Sequence, residues 1–184
     1  MPGASAPGIS GSRHRPTGWW PATVIVVTAA VVLLLPAAAG AAGLSIAAPA
    51  TASLGSTTAG TATTLTASLG SVTVVDGRAA GLGWIATVSS ADFTTGSATS
   101  AETIGKASIS YWSGGTTSTS GIVIRTPGQL TSVQKQSLAV PRNAFSAVGS
   151  LVSNSTSWNP TIVVTIPANA IAGSYTATIT HSVA

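Results

Sequence analysis

The acid–base inventory of this chain is small. Its carboxylates are Asp76, Asp92 and Glu102, and its histidines are His14 and His181. Glycoside hydrolysis needs two carboxylates held close together. Here Asp76 precedes Gly77 in a turn-forming pair, and Asp92 and Glu102 flank the stretch ADFTTGSATSAE. Turn and surface roles account for all three. A serine or threonine nucleophile needs a neighbouring base, which leaves His181 or a lysine, and no G-x-S-x-G elbow occurs. There is no cysteine, so thiolate catalysis, disulfides and Cys-based metal sites are excluded. Three separated carboxylates form no recognisable cation loop. The expectation is a protein that is not an enzyme and has no metal or cofactor site.

The aromatic side chains are the alternative carriers of function, because an exposed ring can stack on a sugar or a partner chain. Trp84 shares its strand parity with Ala86 and Val88, which suits a core anchor. Tyr111 and Trp112 are adjacent and face opposite ways; parity buries Tyr111 and places Trp112 with Lys106, Ser108 and Ser110. Trp158, in SWNP, suits a plug at one end of the fold, and His181 shares parity with Tyr175, Ala177, Ile179 and Val183. Trp112, Trp84, Trp158 and His181 are therefore the candidate binding residues. For each, packing is the competing role.

Positioning these residues falls to a chain of 184 residues that is 45% hydrophobic and only 5% charged. Low charge with abundant Ser, Thr, Gly and Ala suits a short-stranded β protein or a surface layer. The net charge of +4 is no nucleic-acid signature. Beyond residue 53, Arg78, Lys106, Arg125, Lys135 and Arg142 are offset by the three carboxylates and form no basic stripe.

The first 52 residues read as an address. Arg13, His14 and Arg15 form a positive region, and residues 22–35, ATVIVVTAAVVLLL, form an uncharged apolar run of signal-peptide length. Pro36 and small residues follow, with A-x-A type sites at residues 37–39, 40–42 and 50–52. An uncleaved anchor drawn through Trp19 to about Ala41 is the rival. The short apolar run, Pro36 and the alanine sites favour cleavage. Either way the remainder is exported, with no membrane contact once the signal is cleaved. Residues 53–68 read as a flexible Ser/Thr/Ala/Gly linker in which TASLGS, at 51–56, recurs at 66–71.

Residues 69–184 show short alternating runs separated by Gly, Pro, Asn and Asp, the pattern of an all-β domain. Strands are expected in SLGSVTVVD, GWIATVSS, TIGKASISYW, GIVIRT, TIVVTIP and YTATITHSV. Between Pro127 and Ser150, Leu130 and Val133 stand at helical spacing while Leu138, Ala139 and Val140 fit a strand. That stretch is expected to be irregular, with at most one strand and one helical turn. The fold class is all-β: a single immunoglobulin-like antiparallel β-sandwich following an N-terminal signal peptide. NST at 154–156 matches a glycosylation sequon of the kind that arises by chance in a Ser/Thr-rich chain.

Two stretches, GSVTVVDGRAAGLGWIATVSSADF and IPANAIAGSYTATITHSV, resemble the WxL family of exported surface domains, in particular divergent versions from high-GC Gram-positive bacteria. The family's D-x-R turn matches Asp76-Gly77-Arg78, and its first motif falls on Trp84-Ile85-Ala86. The lead-in to its closing strand matches Gly173, Tyr175, Ala177, Ile179 and Thr180, and the second motif falls on His181-Ser182-Val183. Ala86 replaces the first motif's leucine, and His181 replaces the second motif's tryptophan. The resemblance implies a non-enzymatic β-sandwich, secreted or wall-associated, held noncovalently to peptidoglycan or another cell-wall polymer beside partner surface proteins. An alternative expectation is a structural or adhesive subunit whose closing strand lies at a sheet edge and accepts another strand.

Overall fold

Alternating burial runs through nearly every strand, as expected where one side of a sheet meets a core. The computed structural model describes residues 24–33, 43–78, 82–149 and 152–184. In chain order the strands are Val24–Leu33 (β1), Leu44–Ala47 (β2), Thr51–Thr58 (β3), Thr63–Ser68 (β4), Val72–Asp76 (β5), Trp84–Ser90 (β6), Phe93–Thr94 (β7) and Thr103–Ile104 (β8). They continue as Ile109–Trp112 (β9), Thr116–Ser120 (β10), Ile124–Pro127 (β11), Gln136–Ser137 (β12), Arg142–Val148 (β13), Asn154–Trp158 (β14), Thr161–Ile166 (β15) and Gly173–Val183 (β16). Short 3-10 turns at Ser100–Glu102, Lys106–Ser108 and Ser132–Gln134 are the helical elements among the described residues.

The strands form three sheets. The largest runs β11-β13-β6-β16-β1-β3, with β7 and β8 attached beside β16; the others run β10-β14-β5-β2 and β12-β9-β15-β4. One hydrophobic core joins all three: Trp84, Val88, Phe145 and Ile179 from the large sheet, Val72, Val74 and Trp158 from the second, Ile109, Tyr111 and Val164 from the third. Burying a large apolar side chain is worth about 1.5–3 kcal/mol, so this shared core is what holds the layers together. The all-β sandwich expected from the sequence is the fold observed.

Several expectations need correcting. Residues 53–68 are not a linker: β3 and β4 occupy most of them, and Leu54 is buried in the core. The alternation of Thr and Ser with Leu54, Leu65 and Ala67 supplies a half-buried face that the low-complexity composition disguises. Residues 127–150 hold the expected helical turn at Ser132–Gln134 but two strands rather than one, β12 and the interior β13, where Ala144, Phe145 and Ala147 are buried. A register shift between Asn143 and Phe145 breaks its alternation, because two successive residues turn inward there. The run from Thr103 to Trp112 is not one strand, since a 3-10 turn at Lys106–Ser108 separates β8 from β9.

The closing strand is not an edge. β16 has β6 and β7 on one side and β1 on the other. All of β1 comes from the apolar run, residues 22–35, expected to be an export signal. Among the described residues no helix is long and apolar enough to cross a membrane. Arg13, His14, Arg15 and the alanine-type sites at 37–39 and 40–42 lie outside the described residues, while the third, at 50–52, leads into β3.

Candidate functional site

The two stretches that carry the family resemblance lie side by side. On β6 and β16, Val88 stands opposite His181, Thr87 opposite Ser182, and Ala86 opposite Val183. The hydroxyls of Thr87 and Ser182 are 2.7 Å apart, and the backbones of Ile85 and Ala184 exchange two hydrogen bonds.

Next to this pair, Asp76 and Arg78 form a two-pronged ion pair. Arg78 Nε donates to Asp76 Oδ1 at 2.8 Å and Nη2 donates to Oδ2 at 3.2 Å, while Arg78 N donates to Oδ1 at 3.1 Å. Hydrogen bonding from the guanidinium holds the Asp76 carboxyl below its ordinary range. Arg78 also donates to the Gly83 carbonyl at 2.7 Å. Asn154, opposite Asp76 on β14, hydrogen-bonds the carboxylate and accepts from Trp84 Nε1 at 3.4 Å. The D-x-R turn and the first tryptophan are thus linked through one asparagine. Asn154 is 3% exposed, so the sequon at this position is structural and closed to a glycan in the folded state.

A second polar chain joins the three sheets. Trp158 Nε1 donates to Tyr111 Oη at 3.4 Å, and Tyr111 Oη lies 3.4 Å from His181 Nε2. Accepting from the indole leaves the tyrosine hydroxyl its proton to donate, and Nε2 is the acceptor in reach. That places the histidine proton on Nδ1, which has no hydrogen-bond partner. Burial lowers the His181 pKa to about 4 and raises that of Tyr111. Phe145 stacks on Trp158 at 5.0 Å between ring centres and closes the cluster.

The structure therefore separates the four candidate binding residues. Trp84 is 2% exposed, and Trp158 and His181 are fully buried, so these three have no side-chain surface to offer a ligand. Packing is the role their geometry serves. Trp112 is half-buried, on the strand face opposite Tyr111.

The three carboxylates are each engaged locally. Asp76 holds Arg78, Asp92 accepts from the Lys106 backbone N–H at 2.7 Å, and Glu102 accepts from Thr99 N at 3.0 Å and Thr99 Oγ1 at 2.8 Å. Hydrogen bonds from Thr99 keep the Glu102 carboxyl below its usual range. Ser132 and Lys135 stand at the S-x-x-K spacing of some acyl-transfer enzymes. Ser132 opens the Ser132–Gln134 turn and Lys135 follows it, both exposed. Among the described residues no three His, Asp or Glu side chains converge as a metal site would require.

An open feature of the surface lies elsewhere, in the stretch expected to be irregular. A cleft of about 480 Å3 is lined by Thr126, Gln129, Gln136, Arg142, Asn143 and Phe145, among others. Gln129 is 3% exposed and rigidly held. Its Nε2 donates to the Asn143 carbonyl at 3.0 Å, its backbone carbonyl accepts from Ser113 Oγ at 2.9 Å, and its backbone N donates to the same hydroxyl at 3.3 Å. Its Oε1 has no partner. Gly128 allows the approach: a Cβ there would overlap the Asn143 carbonyl oxygen. Arg142 is anchored through Nε to the Ser137 carbonyl at 2.9 Å. The sequence signal for this site is the run of amides Gln129, Gln134, Gln136 and Asn143 among Pro127, Gly128 and Pro141. No protein-family model matches the chain, and no curated protein matches it.

Proposed function

We propose that this protein is an exported, non-catalytic module that binds the peptidoglycan wall noncovalently through the cleft between β11, β12 and β13. The observation that carries this reading is the lining of the cleft, where the exposed amides Gln136 and Asn143 stand beside the buried, firmly held Gln129. An exposed side-chain amide offers one acceptor and two donors, so an N–H or O–H from a bound ligand can pair with it. Peptidoglycan offers both, as sugar hydroxyls and as the amides of its N-acetyl groups and stem peptides. Gln136, Asn143, Thr126 and Ser146 supply neutral hydrogen-bonding groups around the same opening, and Arg142 supplies one cation. The resemblance to WxL domains and the export signal read from the sequence point to the same polymer.

Co-sedimentation of the full chain with purified sacculi tests the reading. Gln136 and Asn143 are exposed, so Gln136→Ala with Asn143→Ala spares the core. The double variant is expected to lose at least tenfold in bound fraction while melting as the wild type does. Wild-type protein that stays in the supernatant, or a variant that binds in full, refutes the cleft.

A further inference from the structure

Val24–Leu33 has two physically conflicting roles. It is the core of the expected export signal, and it is an interior strand of the largest sheet. On one side β1 pairs with β16 from Ile25 opposite Gly173 to Leu33 opposite His181; on the other it pairs with β3 from Val24 opposite Thr58 to Ala30 opposite Thr51. Ile25 is 1% exposed and Val27 is fully buried. β3 joins the large sheet through β1 alone. Removing β1 would unpair nine residues of β16 and seven of β3, above the gap left by Ile25 and Val27. An open strand edge over an apolar gap is a template for another strand.

We propose that the slot between β16 and β3 is a strand acceptor, held by β1 until the N-terminal segment is removed, and then filled by an uncharged, aliphatic strand of a second protein running parallel to β16. The pairing of β1 with β16 is the parallel one among the described residues, the rest being antiparallel. Parallel ladders hold slightly less firmly per residue, which suits an exchangeable occupant. The slot also dictates chemistry. None of β1, β3 and β16 contains Asp, Glu, Lys or Arg, so a charge entering there stays unpaired. The occupant needs aliphatic residues two apart: one between Gly173 and Thr57, where Ile25 stands, and one between Tyr175 and Gly55, where Val27 stands. The inference rests on removal of the segment at export and is independent of the cleft.

The test starts from the full chain with a protease site placed within residues 37–42, folded first and then cut. A labelled peptide of residues 22–35, with terminal lysines for solubility, is the probe. The expected result is exchange of the peptide into the nicked protein at one per chain, with amide-exchange protection of Gly173–His181 retained. The same peptide carrying Ile25→Asp and Val27→Asp is expected not to enter. If the nicked protein unfolds, refolding on addition of the unmodified peptide, and not of the double-Asp peptide, supports the slot; no recovery refutes it. Two other results overturn the proposal. One is release of the N-terminal piece with β16 still protected and no peptide uptake, because β3 has then closed directly on β16. The other is N-terminal sequencing of the exported protein that finds residues 24–33 retained, which leaves the slot self-filled. Neither result bears on binding to sacculi.

Discussion

Single residues show how the chain uses polar groups inside a nearly uncharged fold. His181 looks like a catalytic residue in a composition table and behaves as a packing residue in space, because its nearest polar neighbour is the hydroxyl of Tyr111. Its unfolded pKa is about 6.5, and burial lowers the folded value to about 4. The unfolded chain therefore binds the proton more readily between those values. The stability that neutral His181 permits is present in full above pH 6.5 and is lost as pH falls toward 4, by up to about 3 kcal/mol. His181→Phe is expected to flatten that part of a stability-against-pH curve measured by urea unfolding; an unchanged curve would assign the acid sensitivity elsewhere. Tyr111→Phe strands Trp158 Nε1, and a loss of about 1–3 kcal/mol is expected by thermal unfolding at pH 7. Asp76→Asn leaves the Arg78 guanidinium with one neutral acceptor in place of a carboxylate. Breaking such a pair costs about 3 kcal/mol where it is buried, and chemical denaturation measures it. The burial of Trp84 and Tyr111 was legible from parity. The link from Asp76 to Trp84 was not, because it passes through Asn154, seventy residues away from Trp84 in sequence.

At the level of elements, strands with regular alternation were readable and those with interruptions were not. β15 buries Ile162, Val164 and Ile166, and β6 buries Trp84, Ala86 and Val88, as their spacing dictates. β13 escaped because Ala144 and Phe145 both turn inward at a register shift, which spoils any period of two. In β11 the inward parity is that of Arg125, while Ile124 and, just before the strand, Ile122 are 68% and 71% exposed. Arg125 replaces a carboxylate partner with carbonyls: it donates to those of Ser120, Gly121, Val123 and Ser155, and to Thr156 Oγ1 at 2.8 Å. A hydropathy pattern would place it outside. The cleft depends on two elements meeting at Gly128, where the chain approaches the Asn143 carbonyl. Gly128→Ala is expected to push β11 away from β13 and reduce binding to sacculi more than tenfold with the core still folded. Retained binding by that variant would show that the spacing of the cleft is immaterial.

For the whole molecule, three of the perturbed groups, Asp76, His181 and Tyr111, define a stability dome. Asp76, held ionised by Arg78, contributes stability above its unfolded pKa of about 3.9 and loses it in stronger acid. His181 removes stability below about pH 6.5. Tyr111, whose pKa burial raises, favours unfolding above about pH 10, where the unfolded chain releases the proton first. A plateau between about pH 7 and 9 with losses on both sides is expected from thermal melts across pH. Binding through neutral amides and hydroxyls should change little between low and moderate salt, in contrast to a basic polymer-binding surface. Wall binding through the Gln129 cleft is most directly tested by titrating isotope-labelled protein with soluble muropeptides and following side-chain amide resonances. The account predicts that the Gln129, Gln136 and Asn143 amides shift first and saturate together. Saturating shifts centred on Trp112 with the cleft amides unmoved, or no shifts at all, would contradict it.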